Sequence, residues 1–182
     1  MGAIDIGHGA ADGTNVCYGS RTYVDLTNPA NDTGTLTSFE LWCASDGAAV
    51  KVGTFSGSGG TFTNRDYETI GAVTSGSKQT FTGKSCSVSS GDYIGIYDTT
   101  DSVERHGLSG SGIYHKIVDA FGAGAQTGYS YIEEYWIGAY GAGSTATGWT
   151  TAKLGGIASA SIIKVAGISV ASVKKVAGVA VQ

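Results

Sequence analysis

Few side chains in this chain of 182 residues have the type and spacing that catalysis requires. The three histidines, His8, His106 and His115, lack a metal-ligand partner at helical spacing. Glu133 and Glu134 could supply an acid and a base, but neighbouring residues of a strand point to opposite faces and cannot form a catalytic pair. No Gly-x-Ser-x-Gly elbow occurs in a strand, turn and helix context. The sequence therefore predicts a protein that is not an enzyme.

Aromatic side chains offer a different chemistry, because the flat face of a tyrosine or tryptophan ring can bind the apolar face of a sugar. The candidates lie on strand-like segments: Trp42, Tyr114, Tyr131, Tyr135 and Trp136. The alternative, to which we give more weight, is that these rings fill the core or an oligomer interface. A lectin-like, carbohydrate-binding module for host or surface glycans thus stays open as a second hypothesis.

Oxygen ligands that could hold Ca²⁺ cluster around one loop, at Asp25, Asn28, Asn31 and Asp32. The spacing of an EF-hand is absent, and Asn and Asp side chains often bond their own backbone in turns. We therefore interpret residues 28–34 as a turn and predict no metal and no cofactor. Cys17, Cys43 and Cys86 also lack metal-ligand spacing, and at most one disulfide could form among three thiols.

The elements that must position these side chains are strands, because short apolar segments recur between Gly, Ser, Asn and Asp turns. The central segment is 91–97, in which Ile94 and Ile96 face one side while Tyr93 and Tyr97 face the other. It follows a turn at 89–92, where Gly supplies the unusual backbone angles and Asp caps the bend. We predict an all-β fold, an antiparallel, jelly-roll-like β-sandwich over residues 1–150, with this strand in the middle of a sheet.

Three further expectations concern single segments. Residues 35–44 and 50–55 alternate apolar and polar side chains around a turn and could form a hairpin. Residues 107–112 are loop-like and precede a strand at 113–118. Residues 129–140 are predicted to form one aromatic-rich strand that closes the body.

The charge distribution separates the body from the tail. Residues 1–152 carry all 15 acids against 7 Lys and Arg, a formal net charge of −8, while residues 153–182 carry four Lys and no acid. A nucleic-acid partner is not expected for the body, because phosphate contacts need a basic face. No apolar stretch reaches the length of a membrane span, and residues 1–6 lack the features of a signal peptide.

The tail, residues 151–182, contains an internal repeat of 11 residues. Lys-Leu-Gly-Gly-Ile at 153–157 recurs as Lys-Val-Ala-Gly-Ile at 164–168 and as Lys-Val-Ala-Gly-Val at 175–179. Gly in every repeat and many β-branched residues favour strands interrupted at the glycines over a supercoiled helix. Because the tail is too short to bury its apolar side chains alone, we predict oligomerisation or anchoring through equivalent positions: Lys153, Gly156, Ile157, Lys164, Gly167, Ile168, Lys175, Gly178 and Val179.

The Gly-Asp-Tyr-Ile-Gly-Ile stretch at 91–96 and the Lys-Val-Ala-Gly repeats resemble Gly/Ser/Thr-rich jelly-roll domains of bacteriophage virion or tail-fibre proteins. The resemblance implies a structural protein on a virion or extracellular surface, with a displayed body held by the tail. Its expected partners are copies of itself, as a trimer or a lattice, other virion proteins, and glycans. An extracellular filament subunit is the third hypothesis.

Overall fold

The computed structural model describes Gly2–Thr145 as one compact unit and, separately, six two-residue strands of the tail. The unit contains eleven strands: β1 (Ala3–Ile6), β2 (Asn15–Val16), β3 (Arg21–Asp25), β4 (Gly34–Trp42), β5 (Gly47–Ser58), β6 (Thr61–Val73), β7 (Lys78–Val88), β8 (Tyr93–Asp98), β9 (Glu104–Lys116), β10 (Ser130–Ile137) and β11 (Ala139–Thr145). All strand pairs are antiparallel, so the predicted all-β, antiparallel class is confirmed for the described residues.

The strands form two sheets. The smaller sheet has four strands in the order β1-β11-β4-β7. The larger has seven strands, six of them in the order β10-β9-β3-β8-β5-β6, with β2 paired to β9. One hydrophobic cluster receives buried side chains from both sheets, such as Leu36 and Phe39 from β4 and Ile94 and Ile96 from β8. The two sheets therefore share a core, as the sheets of a β-sandwich do.

Strand β8 occupies the interior of the seven-stranded sheet, between β3 and β5, as the alternation of Ile and Tyr predicts. The turn before it carries the chain from β7, in the four-stranded sheet, to β8. Gly91 has a φ of 85°, the amide of Asp92 donates to the carbonyl of Ser89 at 2.9 Å, and the Asp92 carboxylate accepts the amide of Ser89 at 2.8 Å. The predicted roles of Gly and Asp in this corner are confirmed.

The hairpin expected from residues 35–44 and 50–55 does not form. Strand β4 pairs with β11 and β7, whereas β5 pairs with β6 and β8 in the other sheet. Strand β4 has the predicted alternation, with Phe39, Leu41 and the following Cys43 buried, whereas residues 52–55 of β5 are all buried because both faces of that strand are covered. Alternation shows which face of a strand is buried but not which strand lies beside it, so the hairpin prediction was wrong.

The glycine-rich residues 107–112 lie within β9 and are not a separate loop. Gly112 of β9 lies opposite Glu133 of β10, and Gly107 lies opposite Tyr135. The register shifts between these two pairs, so four residues of β9 lie opposite Glu134 alone. Gly110 (φ 83°) and Glu134 (φ 60°) supply the backbone conformations of this large bulge. Pairing with β10 on both sides keeps the segment in the sheet, and its glycines allow the bulge.

Residues 129–140 form parts of two strands, because the chain changes sheets at Gly138. The amide of Gly138 donates to the carbonyl of Glu104 in the seven-stranded sheet at 2.8 Å. Its carbonyl accepts the amide of Trp42 in the four-stranded sheet at 2.9 Å. A single residue, Gly138, thus joins β10 to β11, and the prediction of one closing strand was wrong.

The tail has the same pairing in each repeat. The strands β12 (Lys153–Leu154) and β13 (Ile157–Ala158) pair with each other, as do β14 (Lys164–Val165) with β15 (Ile168–Ser169) and β16 (Lys175–Val176) with β17 (Val179–Ala180). In the first pair Leu154 lies opposite Ile157, and two residues separate them in the sequence. The other two pairs have the same spacing. The three predicted assembly glycines, Gly156, Gly167 and Gly178, lie outside the described residues.

Candidate functional site

The seven-stranded sheet carries a second hydrophobic cluster on the side opposite the shared core, which we call the aromatic face. Because side chains alternate along a strand, Tyr93 and Tyr97 emerge here while Ile94 and Ile96 enter the core. Its buried members are Val24, Phe55, Phe62, Ala120, Phe121 and Tyr129, surrounded by the half-buried Leu26, Tyr67, Tyr93, Tyr97, Tyr114 and Val118.

The segment between β9 and β10, residues 117–129, covers much of the aromatic face. Phe62 and Gln126 exchange two backbone hydrogen bonds, of 2.9 and 2.8 Å, which fix the segment to β6. Phe121 packs edge-on against Phe55, with ring centroids 5.0 Å apart, and the amide of Tyr129 donates to the carbonyl of Gly60. The deepest rings are therefore structural, and only the surrounding tyrosines can reach a ligand.

Tyr131 is the most exposed tyrosine at this face, with 48% of its surface accessible. Its ring centroid lies 5.0 Å from that of Tyr114, its neighbour across the β9–β10 pair. The ring also lies over Gly112, where a Cβ atom would overlap it. Support from beneath by a glycine and a second tyrosine holds one face of Tyr131 toward solvent, which is the arrangement that a sugar-binding platform needs.

Polar groups lie beside the aromatic rings. The Nζ atom of Lys51 is 2.5 Å from Oδ2 of Asp119 and within 6 Å of the ring centroids of Tyr67 and Tyr97, at 5.4 and 5.8 Å. The hydroxyl of Tyr129 is buried and has no hydrogen-bond partner in the described part of the chain. Burial raises the pKa of Tyr129 to about 12, so this hydroxyl stays protonated at neutral pH. Lys51 and Asp119 thus add charged groups beside the aromatic rings, whereas the Tyr129 hydroxyl is buried beneath them.

Of the five aromatic residues that the sequence predicts as ligand-binding, the structure brings together only Tyr114 and Tyr131. Trp42 lies on the four-stranded sheet, where it alternates with buried Leu41 and Cys43, so it faces away from the shared core on the other side of the body. The five residues therefore do not form one site.

Tyr135 and Trp136 are displaced from the aromatic platform by the bulge at Glu134. With regular alternation Tyr135 would lie on the same side as Tyr131, but the extra residue turns it toward the shared core. Trp136 is only 7% exposed and is stacked between His8 and His106, with ring centroids 4.4 and 3.9 Å away. Trp136 is thus largely covered by protein, and the ligand-binding role of Tyr135 and Trp136 stays a prediction.

The aromatic face also contains four residues that were not predicted from the sequence as ligand-binding: Tyr67, Tyr93, Tyr97 and Phe121. For Tyr93 and Tyr97 a signal existed, because both alternate with the core residues of the most apolar strand. For Phe121 there was none, since its burial depends on residues 117–129 folding back over the sheet.

The side chains of Asn28, Asn31 and Asp32 form hydrogen bonds with nearby backbone groups. Asn31 bonds the backbone of β1, Asn28 donates to the carbonyl of Gly7 at 2.8 Å, and Asp32 accepts the amide of Thr33. In the described part of the chain no three His, Cys, Asp or Glu side chains are grouped so as to hold a metal ion. Burial raises the pKa of all three cysteines, to about 12 for Cys43 and Cys86, so none is an activated thiolate.

Comparison of the chain with protein-family models, curated proteins and solved structures finds no significant match. Within the residues that the structure describes, there is no helix long and apolar enough to cross a membrane.

Proposed function

We propose that the chain is a non-enzymatic structural subunit of a virion or similar surface assembly, in which a jelly-roll-like β-sandwich body is displayed and held by the repeat tail. The observation that carries the proposal is the recurrence of the same strand pair in three successive 11-residue repeats. Repeats of one supersecondary unit are typical of elements that stack on one another or on copies from other subunits.

The size of the repeat unit supports association over independent folding. A two-stranded hairpin alone is marginally stable at best in water, and each tail strand has only two residues. The body, by contrast, has its own buried core and folds as a separate compact unit. Tails of neighbouring subunits can supply the apolar surface that each repeat lacks. A closed rotation between subunits gives a trimer or another ring, and an open one gives a filament.

Ending the chain at Ala152 should convert an oligomer into a folded monomer. The full-length protein is expected to show the mass of a discrete oligomer or larger particle by light scattering, and the shortened chain that of one body. Thermal unfolding of both proteins is the control, because the body's core does not depend on the tail. If both the full-length protein and the shortened chain are monomers, the assembly proposal is refuted. If both are oligomers, the interface lies in the body instead.

A second candidate, binding of surface glycans, is favoured by the supported and exposed ring of Tyr131. A glycan array probed with the full-length protein tests it, and we expect Tyr131→Ala to weaken any binding by about tenfold or more, since a stacked aromatic face contributes on the order of 1.4 kcal/mol. Trp42→Ala, on the other sheet, is the matched control and should bind as the unaltered chain does. An array without signal, or equal losses in both variants, would remove this candidate.

A further inference from the structure

Two arginines of the body, Arg21 and Arg105, lie beside the same tyrosine ring, that of Tyr18. Arg21 begins β3 and Arg105 lies near the start of β9, and the guanidinium carbons of both lie near the ring of Tyr18, 5.4 and 5.6 Å from its centroid. The guanidinium of Arg105 also lies 4.5 Å from the ring centroid of Tyr135. Tyrosine rings therefore hold the two guanidinium groups, which we call the arginine pair, in a fixed region.

The arginine pair has no acidic partner among the described residues. The four ion pairs there use Lys51, Arg65, Lys78 and Lys84. In Gly2–Thr145, the side chain of Arg105 makes no hydrogen bond, and its Nε atom is buried without a partner. A partly buried guanidinium without a counter-charge is costly in free energy, so its presence suggests a ligand that pairs with it.

Acidic side chains near the arginine pair are already engaged by other donors. Asp98 accepts from the amides and hydroxyls of Thr100 and Ser102, and Asp101 accepts the amide of Gly19 at 2.6 Å. Glu104 is buried and accepts the amide of Gly13. Asp98 lies opposite Arg21 in the β3–β8 register, yet neither Arg21 nor Arg105 makes an ion pair within the described chain.

His115 completes the surroundings as a neutral acceptor. Its Nδ1 atom is 3.4 Å from Nη1 of Arg21, so the guanidinium donates and the imidazole accepts. Burial, together with the charges of Arg21 and Arg105, lowers the pKa of His115 below its ordinary value. This interaction orients Arg21 without neutralising it.

We propose that the arginine pair binds an oxyanion, that is, a carboxylate, sulfate or phosphate group. The planar fork of Arg105 matches the geometry of such a group, and its buried Nε atom has no hydrogen-bond partner within Gly2–Thr145. The group could arrive as a free inorganic anion or as the acidic substituent of a sugar. The site is independent of the assembly proposed above, since it lies wholly within the body.

Isothermal calorimetry at constant ionic strength, with chloride as the balancing anion, tests the site in the full-length protein. Sodium sulfate, sodium phosphate and glucuronate are the probes, and at least one is expected to bind saturably. Arg105→Gln should weaken that binding by about tenfold or more, because hydrogen bonds to charged groups are among the strong ones. Tighter binding of glucuronate than of the inorganic anions would identify an acidic sugar as the source, and the reverse would identify a free anion.

Two further variants keep the test decisive. Because Arg105→Gln also removes packing against Tyr135, Arg105→Lys is measured as well. Lysine retains the charge but lacks the planar fork, so this variant should still bind the anion more weakly than the unaltered chain. Lys78→Gln removes a cation from the other sheet and should leave binding unchanged. Absence of saturable binding to all three probes, or equal weakening in the Lys78 variant, would overturn the proposal.

Discussion

Replacing Asp98 with alanine should lower the free energy of unfolding by about 3 to 5 kcal/mol, since several buried donors lose their acceptor at once. Asp98 ends β8 and is 2% exposed. Its Oδ1 atom accepts the amide of Thr100 at 2.9 Å and the hydroxyl at 3.0 Å, and its Oδ2 atom accepts the amide of Ser102 at 2.8 Å and the hydroxyl of the same residue. After truncation, the buried amide of Ser102 has no acceptor and no access to water.

Urea unfolding followed by tyrosine and tryptophan fluorescence measures this effect. Asp32→Ala is the matched control, because the Asp32 carboxylate is exposed and accepts only the amide of the next residue, Thr33, at 2.7 Å. We expect the control to change the free energy of unfolding by less than about 0.5 kcal/mol. Similar losses for the two variants would contradict the structural role of Asp98.

The position of Asp98 explains why a single carboxylate contributes so much to the free energy of unfolding. It lies where the central strand of the larger sheet ends and the chain turns toward β9. The backbone carbonyl of Asp98 also accepts the amide of Ser20 at 2.6 Å, so the residue connects the segment before β3 to the same turn. Loss of its side chain therefore disturbs the turn to β9 and the segment that leads into β3 together.

The features that the sequence predicted well are local ones. The alternation of Ile94 and Ile96 with Tyr93 and Tyr97 depends on the two-residue period of a strand, and the corner at Gly91 and Asp92 depends on backbone angles and a nearby carboxylate. Neither requires knowledge of a distant partner. Both could therefore be inferred from adjacent residues.

Strand partners and bulges could not be inferred in this way. The pairing of β4 with β11 and β7 joins segments far apart in the sequence, and nothing in the alternation of β4 selects them. The bulge at Glu134 cannot be recognised from the sequence either. Its one extra residue moves Tyr135 from the sheet face that carries Tyr131 to the face that carries Arg105. The separation of Tyr135 from Tyr131 therefore could not be predicted from the sequence.

The candidate sites differ in how far the sequence reveals them. Tyr114 and Tyr131 are aromatic residues of strand-like segments, so they could be proposed as a platform. The arginine pair could not, because Arg21 and Arg105 are far apart in the sequence and approach the same ring, that of Tyr18, only in the folded body.

The stability of the body should depend on pH through Asp25, whose carboxyl group is fully buried at the end of β3. Burial, the largest cause, raises the pKa of Asp25 from 3.8 to about 6, although hydrogen bonds from Thr27 and from the amide of Ile137 act in the opposite direction. Between these two pKa values the folded chain retains a proton that the unfolded chain releases. The contribution of Asp25 is therefore fully present below pH 3.8 and is lost as the pH rises through about 6.

The expected loss is about 3 kcal/mol, because each unit of pKa difference corresponds to about 1.4 kcal/mol. Urea unfolding of the unaltered chain and of Asp25→Asn, at pH values from 4 to 7, isolates this contribution, since the amide does not titrate and all other groups are common to both proteins. We expect the stability of the unaltered chain relative to the variant to fall across this range and then level off. Thr27→Val removes the hydroxyl that donates to Oδ1, and should move the fall to higher pH by further destabilising the charged carboxylate. If the stability of the unaltered chain relative to Asp25→Asn rises with pH, the three hydrogen-bond donors hold Asp25 ionised in the folded body.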